Sequence, residues 1–192
     1  GEVLFLPDKN LGMNTADSLG LPPLERMVIN VRGKGEAFDP KETEKARLML
    51  WPGFCSIHTR FNTKQIERVR QEYPEAHIVV HPECTPEVVA GADAAGSTSF
   101  IIRYVAEAPA GSTIVVGTEI NLLERLAAEH AGRVAVLPLV ESACIHMAQT
   151  TEERLAACLD AVAGGSDAFA VRAPEEYRDN AKLALERMLR QM

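Results

Sequence analysis

Four short apolar runs punctuate the chain, at residues 3–6, 78–80, 114–116 and 134–137, and each ends in polar residues or proline. Continuous runs of Val, Ile and Leu at this length predict strands buried on both faces, as in parallel sheets. Residues 48–51 predict a fifth strand, and 27–31 and 168–171 two weaker ones. Helical patterns follow most of these runs. Asn62 with Gln65 predicts a capping box opening a helix over 63–73, with Ile66, Val69 and Tyr73 on its apolar stripe. Thr85-Pro86 predicts an N-cap followed by a first-turn proline. A helix over 118–130 carries Leu122, Leu123 and Leu126 on one face, and Thr150 with Glu153 predicts the cap of another ending at Ala163 before Gly164-Gly165. Pro174 opens a last helix containing Leu183, Leu185, Met188 and Leu189.

Strands alternating with helices at this spacing predict βαβ units and an α/β fold with a parallel sheet. Residues 14–45 break the rhythm: Gly20, Pro22, Pro23, Gly33, Gly35 and Pro40 predict a long loop or insertion. Domain boundaries are expected near 55–62 and 144–150. The first apolar run starts two residues after Gly1, so the chain is expected to be a piece of a longer one.

Composition narrows the class. A chain that is 46% hydrophobic and 24% charged is not a disordered one. No run approaches the roughly 18 apolar residues that cross a bilayer, so no membrane association is expected. The 20 Lys and Arg are scattered among 27 Asp and Glu, giving a net charge of -7, which argues against a nucleic-acid groove. Four cysteines are too sparse for a disulfide scaffold and suit reduced thiols or metal ligands, hence a cytoplasmic location. No phosphate-binding loop or glycine-rich dinucleotide fingerprint occurs.

In open parallel sheets ligands sit at the carboxyl ends of the strands. Polar residues gather there: Asp8 and Asn10, His81 and Glu83, Thr118 and Glu119, Glu141 and Cys144. Cys55-Ser-Ile-His58 and His81-Pro-Glu-Cys84 are two Cys/His pairs whose spacing suits a tetrahedral zinc site, or else cysteines that are small core residues beside loop-capping histidines. Gly96-Ser97-Thr98-Ser99 precedes an apolar helix and reads as an anion site at a helix start or as a plain N-cap. Cys158, in a Leu- and Ala-rich helix, reads as core, and Trp51 as packing.

In combination these motifs resemble those of the quinolinate synthases, iron–sulfur enzymes of bacterial NAD biosynthesis. The matching residues run in order: Pro7-Asp8-Lys9-Asn10-Leu11-Gly12, Trp51-Pro-Gly-Phe-Cys55-Ser-Ile-His58, Ile78-Val-Val-His81-Pro82-Glu83-Cys84, Ala92-Asp93 with Gly96-Ser97-Thr98-Ser99, Gly117-Thr118-Glu119, and Pro138-Leu139 with Cys144-x-x-Met147. The resemblance implies three αβα domains with short parallel sheets around a pseudo-threefold axis. Residues 1–55 would complete the second domain, with an insertion at about 14–45, and residues 56–144 would form the third. Residues 145–192 would be helices packing toward a first domain that lies outside this chain.

The resemblance also implies a 4Fe–4S cluster on three cysteines, two of them Cys55 and Cys144 and the third upstream of Gly1. Its open iron would act as a Lewis acid while iminoaspartate condenses with dihydroxyacetone phosphate to quinolinate. By the same resemblance Glu83 and His81 are catalytic. His81, Pro82, Glu83, Ser97, Thr98 and His58 contact substrate, with Glu83 the acid/base residue. The missing region would come from the same protein or a second chain. The non-enzymatic alternative is a zinc-binding α/β module using Cys55, His58, His81 and Cys84.

Overall fold

The structure, a computed structural model, describes residues 2–31 and 44–190. Its chain divides into two units, Gly1–Cys144 and Ile145–Met192. The first unit carries two parallel sheets.

The first sheet has the order β1-β3-β2, from β1 (Val3–Phe5), β2 (Arg26–Val28) and β3 (Leu48–Leu50), with Val3 beside Leu48 and Arg26 beside Leu48. The expectation of burial on both faces fails here: Val3, Leu4 and Leu6 are each about half exposed, because β1 is an edge strand of a small sheet. Between β1 and β2 lies α1 (Lys9–Ser18), then a 3-10 turn (Pro23–Glu25). Within the segment 14–45 expected as a long loop or insertion, residues 14–18 continue α1 and residues 26–28 form β2, and residues 32–43 lie outside the described residues. Helix α1 lacks the apolar stripe that betrays a helix. It buries Asn10, Gly12, Asn14 and Ala16. A Cβ on Gly12 would stand 2.3 Å from Leu50 Cδ2 and 3.0 Å from Phe5 Cδ1, so any larger residue would make those side chains shift for the helix to lie this close to β1 and β3.

The second sheet has the order β5-β4-β6-β7, all parallel: β4 (His77–Val80), β5 (Ala94–Ala95), β6 (Thr113–Gly117) and β7 (Ala135–Pro138). Between these strands run α2 (Thr63–Glu72, ahead of β4), α3 (Pro86–Gly91), α4 (Thr98–Glu107) and α5 (Ile120–Glu129). Because side chains alternate along a strand, the sheet feeds two cores. Ile78, Val80 and Val115 meet Ile66 and Val69 of α2 and Val88 of α3. Val79, Ile114, Val116 and Val136 meet Ile101 and Val105 of α4 and Leu123 and Leu126 of α5. The result is a three-layer αβα arrangement, which explains why β4 and β6 read as unbroken apolar runs.

Local chemistry sets the helix starts. Asn62 Oδ1 accepts from Gln65 N–H at 3.2 Å and Gln65 Oε1 accepts from Asn62 N–H at 3.0 Å, the expected capping box. The cap expected at Thr150 instead falls at Thr151, whose hydroxyl accepts from Arg154 N–H, since Thr150 closes the preceding 3-10 turn onto Met147.

The second unit consists of that turn (Met147–Gln149), α6 (Glu152–Ala163) and α7 (Glu175–Leu189). Neither helix buries a residue, and Leu155, Leu159, Leu185 and Leu189 are exposed. Cys158 is only half-buried rather than core. The strand expected at 168–171 does not form: Ala168 and Phe169 lie in a turn and Val171 is wholly exposed. Trp51 is 40% exposed, packed over part of its surface only. No helix of the described residues is long and apolar enough to cross a membrane.

Candidate functional site

The loops leaving the carboxyl ends of β3, β4 and β6 converge on one cluster. After β3, a turn carries Cys55 and then His58 at the head of a 3-10 turn (His58–Arg60). After β4 comes His81-Pro82-Glu83-Cys84, and after β6 come Thr118 and Glu119. His58, 7% exposed, ties the three together. Its Nδ1 lies 2.8 Å from Glu83 Oε2 and its Nε2 3.1 Å from Thr118 Oγ1. With Glu83 ionised, this network assigns the ring proton to Nδ1 and leaves Nε2 accepting from the threonine hydroxyl. The His81 ring stacks on His58, centroids 4.4 Å apart and planes 12° off parallel. His81 Nδ1 accepts from the Glu83 backbone N–H at 3.3 Å, which places its proton on Nε2.

Electrostatics sort the members. The hydrogen bond from His58 holds the Glu83 carboxyl below its ordinary value, outweighing partial burial, so Glu83 is a carboxylate through the neutral range. Burial, aided by the neighbouring His58, lowers the His81 imidazole from 6.5 and favours its neutral form. Cys55, His58 and Glu83 each offer a ligand atom within 4.8 Å of the others.

The four-residue zinc set is not what the fold gathers. Cys84 is fully buried in the core with Val80 and Val88, its Sγ directed at the Gly117 carbonyl, and burial pushes its thiol up to about 12. A thiol held that firmly protonated is a poor metal ligand. Cys55 and Cys144, by contrast, are both free and half-buried, and both pack against that same apolar cluster from the ends of parallel strands. That donor chemistry fits two of the three thiolates of an iron–sulfur cluster. Cys84 does not, since it is enclosed in the core and burial holds its thiol in the protonated form.

Ser97 and Thr98 make no hydrogen bond to the cluster around His58 and stand at the exposed head of α4 beyond β5. Ser97 is the N-cap, its hydroxyl accepting from Phe100 N–H at 3.3 Å. Pro82 contributes its carbonyl, which accepts from Asn14 Nδ2 at 2.7 Å.

Behind the cluster stand Asn10, already among the polar residues at the strand ends, and Asn14, which the sequence does not mark. Asn14 also donates to the Cys84 carbonyl at 2.8 Å, and Asn10 Nδ2 donates to the Glu83 carbonyl at 3.2 Å. One face of α1 thus fixes the backbone of 82–84. The signal for Asn14 is its helical i, i+4 spacing from Asn10.

The family model described as Quinolinate synthetase A protein matches residues 1–190. A quinolinate synthase of Corynebacterium glutamicum is 40% identical over 188 residues, covering 97% of this chain and 48% of the relative. One from Halalkalibacterium halodurans is 42% identical over 188 residues, covering 97% and 51%, and one from Haloarcula marismortui is 40% identical over 191 residues, covering 98% and 50%. The chain spans about half the length of the curated relatives it matches.

Proposed function

The chain belongs to the quinolinate synthase family, and on that premise we propose that its residues form part of an active site condensing iminoaspartate with dihydroxyacetone phosphate to quinolinate, on the de novo route to NAD. The observation that carries this reading is the Glu83 carboxylate, bonded to His58 and flanked by the stacked His81, beside Cys55 at the carboxyl ends of β3 and β4. Cys55 and Cys144, with a third cysteine outside this chain, would hold a 4Fe–4S cluster, and that cluster when bound supplies a Lewis-acid iron.

The chain's own residues do the rest. Glu83, ionised at neutral pH, accepts a proton from carbon next to a carbonyl or imine, and His58 stabilises its charge. His81, neutral with its proton on Nε2, donates to a substrate carboxylate. Thr118 fixes the His58 ring and its tautomer. Ser97 and Thr98 add hydroxyl and backbone donors at the head of α4, a setting that favours a carboxylate or phosphate. The site works in the cytoplasm and is completed by the other half of the family's chain, from the same polypeptide or a second one.

The test is quinolinate formation by a full-length family member carrying this chain's residues. Glu83→Gln is expected to lower turnover about 10²–10⁴-fold with iron content unchanged. Near-normal turnover would overturn the role of Glu83. Loss of iron on the same substitution would favour a mononuclear cation held by Cys55, His58 and Glu83.

A further inference from the structure

The loops that carry Cys55 and Cys144 are held by the same two-bond clamp, in two different sheets. In the first, β1 leads into Asp8, the N-cap of α1, and the neighbouring parallel strand β3 leads into Cys55. The Cys55 N–H donates to Asp8 Oδ2 at 2.8 Å, and Lys9 N–H, the next residue after Asp8, donates to the carbonyl of Gly53, two residues before the cysteine, at 2.9 Å. In the second, β6 leads into Glu119, the N-cap of α5, and the neighbouring parallel strand β7 leads into Cys144. The Cys144 N–H donates to Glu119 Oε1 at 3.4 Å, and Ile120 N–H donates to the carbonyl of Ser142, two residues before that cysteine, at 3.0 Å.

The correspondence extends further. Both carboxylates are buried, Asp8 at 3% and Glu119 at 7% exposure. Each also caps its helix with its second oxygen: Asp8 Oδ1 accepts from Leu11 N–H at 2.8 Å and Glu119 Oε2 from Asn121 N–H at 2.9 Å, while Glu119 Oε1 accepts in addition from Asn121 Nδ2 at 2.7 Å. Each strand pair is continued into its clamp by one more ladder bond, Trp51 N–H to the Phe5 carbonyl and Leu139 N–H to the Val116 carbonyl.

We propose that Asp8 and Glu119 are matched positioning residues, each bracing one cysteine loop against the helix start next to it so that the two thiols are presented in a preset geometry to the metal group. The presentation half rests on the reading that Cys55 and Cys144 are cluster ligands; the bracing half stands on the two sets of hydrogen bonds alone. A buried carboxylate accepting from two backbone N–H groups needs both of its oxygens. An amide has one acceptor oxygen for these donors, and at an N-cap that oxygen favours the helix; at position 119 it then faces Asn121 N–H, and the amide NH2 replaces the oxygen that met Cys144 N–H and Asn121 Nδ2. Asp8→Asn and Glu119→Gln therefore keep the cap and release the cysteine.

Two readouts separate the halves. In this chain, amide hydrogen exchange at Cys55 should quicken roughly tenfold in Asp8→Asn, and that at Cys144 roughly tenfold in Glu119→Gln, each leaving the other cysteine and the Leu11 and Asn121 amides unchanged. Unchanged exchange at the facing cysteine, or equal acceleration at both cysteines in either variant, would overturn the bracing. In a full-length family member loaded with iron and sulfide, both substitutions should speed loss of absorbance near 400 nm to a chelator by about tenfold or more. Cys55→Ala and Cys144→Ala, run alongside, should not load. Loading by either cysteine variant would overturn the ligand reading and the presentation half with it. Failure to load by both, with chelation at wild-type rate in Asp8→Asn and Glu119→Gln, would overturn the presentation half alone.

Discussion

Cys55 and Cys84 stand in mirrored surroundings along the chain, one three residues ahead of His58 and the other three residues behind His81. In space they diverge. Cys55 is half-buried at the mouth of β3, its thiol near His58 and Glu83 and its backbone held by Asp8. Cys84 turns under the 81–84 loop into the core between Val80 and Val88, at 0% exposure. The difference comes from what each loop packs against. The Cys84 N–H closes a turn onto the His81 carbonyl, while its own carbonyl is taken by Asn14 of α1, so the loop is pinned with the thiol inward. Spacing between a cysteine and a histidine thus reports which residues can meet, and the neighbouring helix decides which of them faces the site.

The comparison can be broken by thiol labelling. With its thiol raised to about 12, Cys84 is ionised to roughly one part in 10⁴ at pH 8, and iodoacetamide should modify it at least a hundredfold more slowly than Cys55 in the native chain. Peptide mass mapping checks this, and comparable rates would place Cys84 at the surface. Backbone geometry sharpens the contrast next. A Cβ on Gly53 would stand 2.3 Å from the Pro7 carbonyl, so Gly53→Ala should push the Cys55 loop away from β1 and lower stability by about 1–3 kcal/mol in a denaturant titration. Cys84 should label as slowly as before in that variant, and unchanged stability would show that the loop yields without strain.

The smallest effect is in pH. Glu83 is held below 4.5 chiefly by its hydrogen bond from His58. A carboxyl lowered on folding contributes stability that is present above its unfolded value and is lost as pH falls through the folded one. The Glu83 side-chain carbon in the metal-free chain should therefore titrate below pH 4.5, and His58→Asn should move that midpoint upward toward 4.5. A midpoint unmoved by the substitution would show that His58 does not stabilise the carboxylate.

Much of this molecule is legible in the chain because apolar residues mark it. Strands β4 and β6 are buried on both faces and read as unbroken runs, and the Asn62–Gln65 capping box is a local device readable on sight. Helix α1 is not, since its buried face is Asn10, Gly12, Asn14 and Ala16 and only the neighbouring strands make that face interior. The site follows the same division. His58, His81, Glu83 and Thr118 stand at strand ends, where ligand-binding residues are expected, and the fold joins them by hydrogen bonds and ring stacking. The hydrogen bonds from Asn10 and Asn14, and the clamps of Asp8 and Glu119, span 25 to 73 residues of sequence and depend on which strands lie side by side. No local pattern encodes that adjacency.

The most direct test of the central claim is iron and sulfide content after anaerobic reconstitution, comparing Cys55→Ala with Cys84→Ala in a full-length family member carrying this chain's residues. A full four-iron complement is expected in Cys84→Ala and none in Cys55→Ala. Iron retained without Cys55, or lost without Cys84, would contradict the claim.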